Sequence, residues 1–168
     1  MTQRVVFPEL DYLTTMATEG TPWRFMLIGG VAAGKTTLLK VLENKKPRLA
    51  HKTQMIDYGG WGIDTPGEFV EMGHWRRVLV SSSFDARLLI AVQDATRQHQ
   101  AVFPPNYFLM FPQHTIGVVT KMDDPAADPD QAQAQLRAAG VTGEIFFVSA
   151  ITGYGISELR TYLLETNL

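Results

Sequence analysis

The chain has 168 residues, of which 45% are apolar and 19% charged, and its formal net charge is -2. These values are ordinary for one globular domain with a buried core, and they give no general reason to expect nucleic acid or an anionic membrane as a partner. The absence of cysteine excludes disulfides, zinc thiolate sites and thiol nucleophiles. The longest apolar run after the amino terminus, residues 88–92, is too short for a membrane span, and the amino-terminal residues lack the apolar region of a signal peptide. We therefore expect a cytoplasmic protein without membrane insertion.

Residues 1–21 precede the first predicted strand. After Pro8 they place four apolar side chains on one side of a short helix: Leu10, Leu13, Met16 and Ala17. Two interpretations remain open, a segment that packs on its own domain or forms a loose arm, and an amphipathic segment that docks on another protein. We divide the chain into an amino-terminal extension, residues 1–21, and one domain, residues 22–168.

Four short apolar runs predict the strands of a sheet. They cover residues 24–28, 88–92, 116–119 and 145–148, and their apolar character is continuous rather than alternating. Strands of this kind are typical of a parallel sheet that is covered on both faces.

Helical patterns lie between and after these runs. Residues 35–42 and 131–139 have the spacing and composition of helices, and an apolar stripe after Gly155 predicts a last helix. The alternation of strands and helices predicts an α/β fold with a mostly parallel sheet.

A glycine-rich segment joins the first strand to the first helix. It matches G-x-x-x-x-G-K-[ST] at every fixed position: Gly29, Gly30, Val31, Ala32, Ala33, Gly34, Lys35 and Thr36. Backbone N–H groups of such a loop, and the helix that starts after it, point at phosphate oxygens. We expect Lys35 to reach the β- and γ-phosphates of a nucleotide and Thr36 to bind Mg²⁺. Thr37, at the start of the helix, completes the predicted phosphate-binding set.

The sequence Asp64-Thr65-Pro66-Gly67 follows 28 residues after Thr36. Alone it predicts only a turn. Downstream of a phosphate-binding loop, its aspartate can hold a Mg²⁺-bound water and its glycine N–H can meet the γ-phosphate.

Two further segments follow predicted strands. Thr120-Lys121-Met122-Asp123 comes after residues 116–119, and the Asp123 carboxylate there can accept two hydrogen bonds from the edge of guanine but not of adenine. Ser149-Ala150 comes after residues 145–148, where a backbone N–H can meet the guanine carbonyl. Ligands bind at the carboxyl ends of strands in such sheets, and all four motifs fall there, which favours GTP or GDP with Mg²⁺.

These motifs resemble the GTPase set of P-loop proteins. Three longer stretches resemble, more narrowly, the ethanolamine- and propanediol-utilisation GTPase-like family (EutP/PduV): residues 64–71, residues 103–105 with 110–111, and residues 117–121. The resemblance implies a Ras-like three-layer fold and a link to bacterial microcompartments that process small alcohols or amines. It also implies that Thr53 is the mobile switch threonine that closes on Mg²⁺.

The sequence departs from the Ras-like pattern at three points. Only 11 residues separate Thr53 from Asp64, so we expect a shortened hairpin between strands 2 and 3. Thr120 replaces the commoner asparagine, which we expect to weaken the guanine preference. Glu68 replaces a water-positioning glutamine, and its negative charge near the phosphates predicts slow hydrolysis.

Two basic segments have open roles. Arg48 lies in the predicted first switch and is either a solvated surface residue or an arginine finger in cis. Residues 74–77 lie in the predicted second switch, either as ordinary surface or as a place where a partner senses the nucleotide.

Three functions fit the sequence. The first is a slowly hydrolysing GTPase that acts as a switch at a microcompartment, with a shell or enzyme partner docked through residues 1–21. The second, which the family resemblance implies, is an acetate kinase-type phosphotransferase, in which Lys35 and Mg²⁺ serve the transferred phosphate, although adenine use fits Asp123 poorly. The third is a nucleotide-binding adaptor with little turnover. In the first, Lys35, Thr53, Gly67 and Glu68 are the candidate catalytic residues, and Thr36, Thr53 and Asp64 are the candidate metal ligands.

Overall fold

The computed structural model describes residues 24–43, 55–57, 61–97 and 100–166. Within these ranges five strands form one parallel sheet in the order β2-β1-β3-β4-β5. The strands are β1 (Phe25–Gly29), β2 (Gly62–Asp64), β3 (Leu88–Asp94), β4 (His114–Thr120) and β5 (Ile145–Phe147). The predicted α/β fold with a parallel sheet is confirmed.

The helices are α1 (Lys35–Leu42), α2 (Glu68–Glu71), α3 (Arg76–Ser83), α4 (Pro129–Ala138) and α5 (Ile156–Glu165). Two 3₁₀ turns, Gly73–Trp75 and Tyr107–Met110, precede α3 and β4. None of the helices in the described part of the chain is long and apolar enough to cross a membrane.

Helix α4 begins two residues before its predicted start. Pro129 occupies the first turn, where its missing N–H costs nothing, and the Asp128 carboxylate accepts a hydrogen bond from the Gln131 N–H at 3.0 Å. A proline and an acidic cap therefore set the start of this helix.

Apolar side chains of β1 alternate between the two faces of the sheet. Phe25 and Leu27 lie in a core with α1 and α5, whereas Met26 and Ile28 lie in a core with α3 and α4. All four side chains are fully buried. This three-layer packing explains why the strand sequences are continuously apolar.

The shortened hairpin expected between Thr53 and Asp64 would end at the strand that is β2 in this structure. Among the described residues, its antiparallel pairing is confined to one bridge. Asp57 and Asp64 exchange both backbone hydrogen bonds at 2.9 Å. Residues 44–54 and 58–60 lie outside the described residues, so the shortening of the hairpin stays a prediction. Thr53 and Arg48 lie outside the described residues, and so do residues 1–21. The division of the chain at residue 21 therefore stays a prediction.

Candidate nucleotide-binding site

The loop of residues 29–36 leaves the carboxyl end of β1 and enters α1. Two of its residues, Ala32 (φ 58°) and Gly34 (φ 91°), have left-handed backbone conformations. Left-handed residues between right-handed ones turn successive N–H groups to one side and form an anion-binding nest. Gly34 supplies this conformation without a steric penalty, whereas Ala32 is held there by the loop.

Lys35 folds back over this loop. Its Nζ donates hydrogen bonds to the carbonyl oxygens of Gly29 and Gly30, both at 2.9 Å, and the side chain is buried. Burial lowers the pKa of Lys35 to about 8, and the carboxylates of Asp64, Glu68 and Glu71 oppose this shift. A cation with a high desolvation cost therefore lies at the loop, where phosphate oxygens would stabilise it.

The two candidate metal ligands of the described residues are in direct contact. The Thr36 hydroxyl donates to the Asp64 carboxylate. Asp64 is the last residue of β2 and pairs with Leu27 in the middle of β1. Thr65 fixes this junction by donating from its hydroxyl to the Leu27 carbonyl at 2.7 Å. Hydroxyl and carboxylate oxygens are hard donors of the kind that Mg²⁺ prefers, so the pair fits this ion.

Gly67 lies against the backbone of the phosphate-binding loop. A Cβ at this position would lie 2.3 Å from the Val31 nitrogen and 2.6 Å from the Gly30 carbonyl carbon. Glu68 follows as the first residue of α2, with one carboxylate oxygen buried. The candidate catalytic residues Lys35, Gly67 and Glu68 are thus brought together.

Thr120 ties the end of β4 to the loop. Its hydroxyl lies 2.7 Å from the Ala33 carbonyl oxygen and 3.3 Å from that of Gln93, and donates to them. A hydroxyl has one hydrogen to donate, so this tie occupies the donor that Thr120 could offer a base.

Lys121 has a left-handed backbone (φ 62°) and pairs with Asp94 at 2.5 Å. Burial raises the pKa of Asp94, but hydrogen bonds from Lys121 and Thr96 outweigh this effect and lower it. Asp94, at the end of β3, was not predicted as a site residue. It binds the Lys121 ammonium group at the edge of the site.

Asp123 and Ser149 meet at the ends of β4 and β5. The Ser149 hydroxyl donates to the Asp123 carboxylate at 2.6 Å, and the Ser149 N–H donates to the Tyr154 carbonyl at 2.9 Å. The Ser149 N–H is therefore already engaged. Of the predicted Ser149-Ala150 motif, Ala150 is the residue left to meet the carbonyl of a base.

An ion pair that the motifs did not predict lies on the phosphate-binding loop. Arg97 Nη1 is 2.9 Å from Glu71 Oε1, and the same oxygen accepts the Val31 N–H at 3.0 Å. Glu71 is the last residue of the stretch 64–71, one of those that carried the family resemblance. No sequence pattern predicts its contact with Arg97.

The predicted second switch is partly packed. Trp75 stacks on Phe69 with ring centroids 4.6 Å apart, and Arg76 lies over the Tyr107 ring. Trp75 and Met72 remain exposed.

Comparison with known proteins finds a matching family model and relatives that cover most of the chain. The family model described as "Ethanolamine utilisation - propanediol utilisation" matches residues 23–165. A relative named "Probable acetate kinase EutP" from Escherichia coli (strain K12) is 30% identical over 141 residues, which cover 83% of this chain and 88% of the relative. The "Propanediol utilization protein PduV" of Citrobacter freundii is 32% identical over 143 residues, 83% of this chain and 92% of that protein.

Relatives outside this group include a GTPase and an elongation factor. The "GTPase Era" of Erythrobacter litoralis (strain HTCC2594) is 29% identical, with 82% of this chain matched to 53% of that protein. The crystal structure of a bacterial selenocysteine-specific elongation factor superposes with a TM-score of 0.57 and 26% identity, and the match covers 85% of this chain and 28% of that one. The fold is thus that of P-loop GTPases, and the chain belongs to the ethanolamine utilisation–propanediol utilisation family.

Proposed function

We propose that the chain binds GTP and GDP with Mg²⁺, hydrolyses GTP slowly, and serves as a nucleotide-dependent switch in ethanolamine or propanediol utilisation. One observation carries this function: the four motif segments lie at the carboxyl ends of β1, β2, β4 and β5, on one edge of the sheet. That edge is where parallel α/β sheets bind ligands.

The phosphates would lie on the loop of residues 29–36 and on the first turn of α1, which includes Thr37. Lys35 would exchange its two carbonyl partners for β- and γ-phosphate oxygens, while Gly67 offers its N–H to the γ-phosphate. Thr36 and Asp64 would hold Mg²⁺, with Thr53 as a further ligand, and the ion would neutralise negative charge on the β- and γ-phosphates.

The base would lie between the ends of β4 and β5. Asp123 is oriented by Ser149 and can accept two hydrogen bonds from the guanine edge, where adenine offers no matching donors. Lys121 and Thr120 would flank the base, and the Ala150 N–H would meet its carbonyl. Guanine selectivity therefore depends chiefly on Asp123.

Hydrolysis is expected to be slow because Glu68 follows Gly67 at the start of α2. A carboxylate cannot donate a hydrogen bond to the attacking water or to the phosphate unless it is protonated, and its charge repels the phosphates. Turnover in the range of kinases, roughly 1–100 per second, would contradict this assignment.

Titration with labelled GTP, GDP and ATP, with and without Mg²⁺, tests the nucleotide assignment. We expect Asp123→Ala to weaken GTP and GDP binding about tenfold or more and to leave ATP binding unchanged. Asp130→Ala, an exposed aspartate in the first turn of α4, is the matched control. Equal GTP affinity in the two variants would refute the role of Asp123.

The name of the Escherichia coli relative favours acetate kinase activity as a second candidate. Here Lys35 would serve the phosphate that moves to acetate, and no water would need to be positioned, so Glu68 would be compatible with the reaction. Incubation with acetate and either ATP or GTP, followed by trapping of acetyl phosphate as its hydroxamate, separates the candidates. Acetyl phosphate formation that is lost in Lys35→Ala would favour the kinase.

Residues 1–21 are the proposed docking segment for a microcompartment shell or enzyme partner. The apolar side chains after Pro8 could lie in a groove of that partner. Deletion of residues 1–21 from a fluorescent fusion should abolish punctate localisation, whereas unchanged puncta would contradict docking through this segment.

A further inference from the structure

We propose that Arg97 belongs to the subsite for the terminal phosphate, and that Glu71 holds this place until a nucleoside triphosphate displaces it. This inference rests on the nucleotide binding proposed above. It adds a cation from the turn after β3 to a site whose predicted residues come from the ends of β1, β2, β4 and β5.

The placement of Arg97 follows from the sheet order. Strand β3 lies between β1 and β4, and Arg97 follows its carboxyl end in a turn closed by a hydrogen bond from the Arg97 N–H to the Asp94 carbonyl at 3.2 Å. The guanidinium therefore extends along the edge of the sheet that carries the phosphate-binding loop.

The Arg97–Glu71 pair lies directly on this loop. A Cβ built on Gly30 would lie 2.9 Å from Arg97 Nη1 and 3.0 Å from Glu71 Oε1. A side chain at this position would require the ends of the Arg97 and Glu71 side chains to shift. Gly30 is not a fixed position of the loop motif, so its role here is separate from the general pattern.

The Glu71 carboxylate makes the contacts expected of a phosphate oxygen. Its Oε1 accepts one hydrogen bond from a loop N–H, that of Val31, and another from the Arg97 guanidinium. A terminal phosphate carries more negative charge and more acceptor oxygens than a carboxylate, and arginine binds it with two parallel hydrogen bonds. We therefore expect the phosphate to compete with Glu71 for Arg97.

The Arg97 and Glu71 side chains are each about one-third exposed, at 32% and 33%. The pair is thus partly screened by water, and a ligand can reach it without opening the core. GDP lacks the phosphate that would displace Glu71, so Arg97 should discriminate between triphosphate and diphosphate.

The test is equilibrium binding of a fluorescent non-hydrolysable GTP analogue and of fluorescent GDP, both with Mg²⁺. We expect Arg97→Ala to weaken the analogue about tenfold and to change GDP affinity less than about twofold. Glu71→Gln should tighten the analogue more than GDP, because it removes a competing negative charge. The matched controls are Arg87→Ala, an exposed arginine at the opposite end of β3, and Glu158→Gln, an exposed glutamate on α5.

The double variant separates contact with phosphate from simple anchoring of Glu71. In the Glu71→Gln background, Arg97→Ala should still weaken the analogue about tenfold. No further loss there, or an equal loss for GDP, would overturn the inference and leave the nucleotide function intact. Failure of the unaltered protein to bind any nucleotide would overturn both. If Arg97→Ala does not fold, Arg97→Gln removes the charge at similar length and decides by the same criteria.

Discussion

Gly67→Ala tests how closely the segment after β2 packs on the phosphate-binding loop. The new Cβ would lie 2.3 Å from the Val31 nitrogen, 2.5 Å from the Val31 Cα and 2.6 Å from the Gly30 carbonyl carbon. These atoms are backbone, so no side-chain rotation relieves the contacts. Ordinary van der Waals contact at about 3.4 Å or more requires the two segments to separate by about 1 Å.

Backbone conformation does not explain a loss of stability at this position. Gly67 has right-handed helical angles (φ -62°, ψ -31°), which alanine adopts more readily than glycine. The expected destabilisation of about 1–3 kcal/mol is therefore that of overpacking alone, and separation of the loop from Gly67 should also weaken GTP binding more than GDP binding.

Urea unfolding and nucleotide titration measure the two effects of Gly67→Ala. Gly73→Ala is the matched control, since the nearest side-chain atom to its Cβ would be the Arg76 Nε, at 3.7 Å. A Gly67→Ala protein as stable as the unaltered protein, or more stable, with unchanged GTP affinity, would refute the packing of Gly67 on the loop.

Three further predictions concern side chains of the site. Lys35 has a folded pKa of about 8, below its value of 10.5 when unfolded, so the unfolded chain binds more protons between these values and stability rises with pH there. The free energy of unfolding of the nucleotide-free protein, measured in urea relative to that of Lys35→Met, should rise by about 2 kcal/mol between about pH 7.5 and 9.5. If the difference between the two proteins does not change with pH, the low pKa is contradicted. Thr120→Val should cost about 1–3 kcal/mol in the same assay, because it leaves the Ala33 carbonyl without this donor; a loss below about 0.5 kcal/mol would show that the tie contributes little. Glu68→Gln should raise the single-turnover rate of phosphate release from bound GTP, and an equal or lower rate would contradict the inhibitory role of Glu68.

The sequence was sufficient for the phosphate-binding loop because its constraints are local. Gly34 must adopt a left-handed conformation, and Lys35 and Thr36 must start a helix that follows a buried strand. These requirements act within a few residues, so the spacing alone records them. The sequence also predicted that Asp64 and Asp123 lie at the same end of the sheet as this loop. That prediction used the general rule that ligands bind at the carboxyl ends of parallel strands, and no knowledge of contacts.

Contacts between segments distant in the chain could not be predicted in this way. Arg97 and Glu71 are 26 residues apart, and Lys121 and Asp94 are 27 apart, and each residue alone has the pattern of an exposed charge. Helix α3 was also missed, because its apolar residues, Val78, Leu79 and Val80, are consecutive and show no helical spacing. Of these three only Leu79 is buried.

Thr120 stands where asparagine is commoner in the Ras-like pattern, and this difference changes which residue contacts the base. An asparagine amide has two hydrogens to donate and a carbonyl oxygen, so it can hold the loop and contact a base at once, whereas a hydroxyl has one hydrogen. In this chain the Thr120 hydroxyl holds the Ala33 carbonyl at 2.7 Å, which preserves the position of β4 against the loop. Contact with the base then depends on Asp123, whose carboxylate is held by Ser149 at 2.6 Å. Ser149→Ala should therefore weaken guanine nucleotides several-fold by releasing Asp123, and it should have no effect once Asp123 is replaced by alanine, because the two residues act on the base through the same carboxylate.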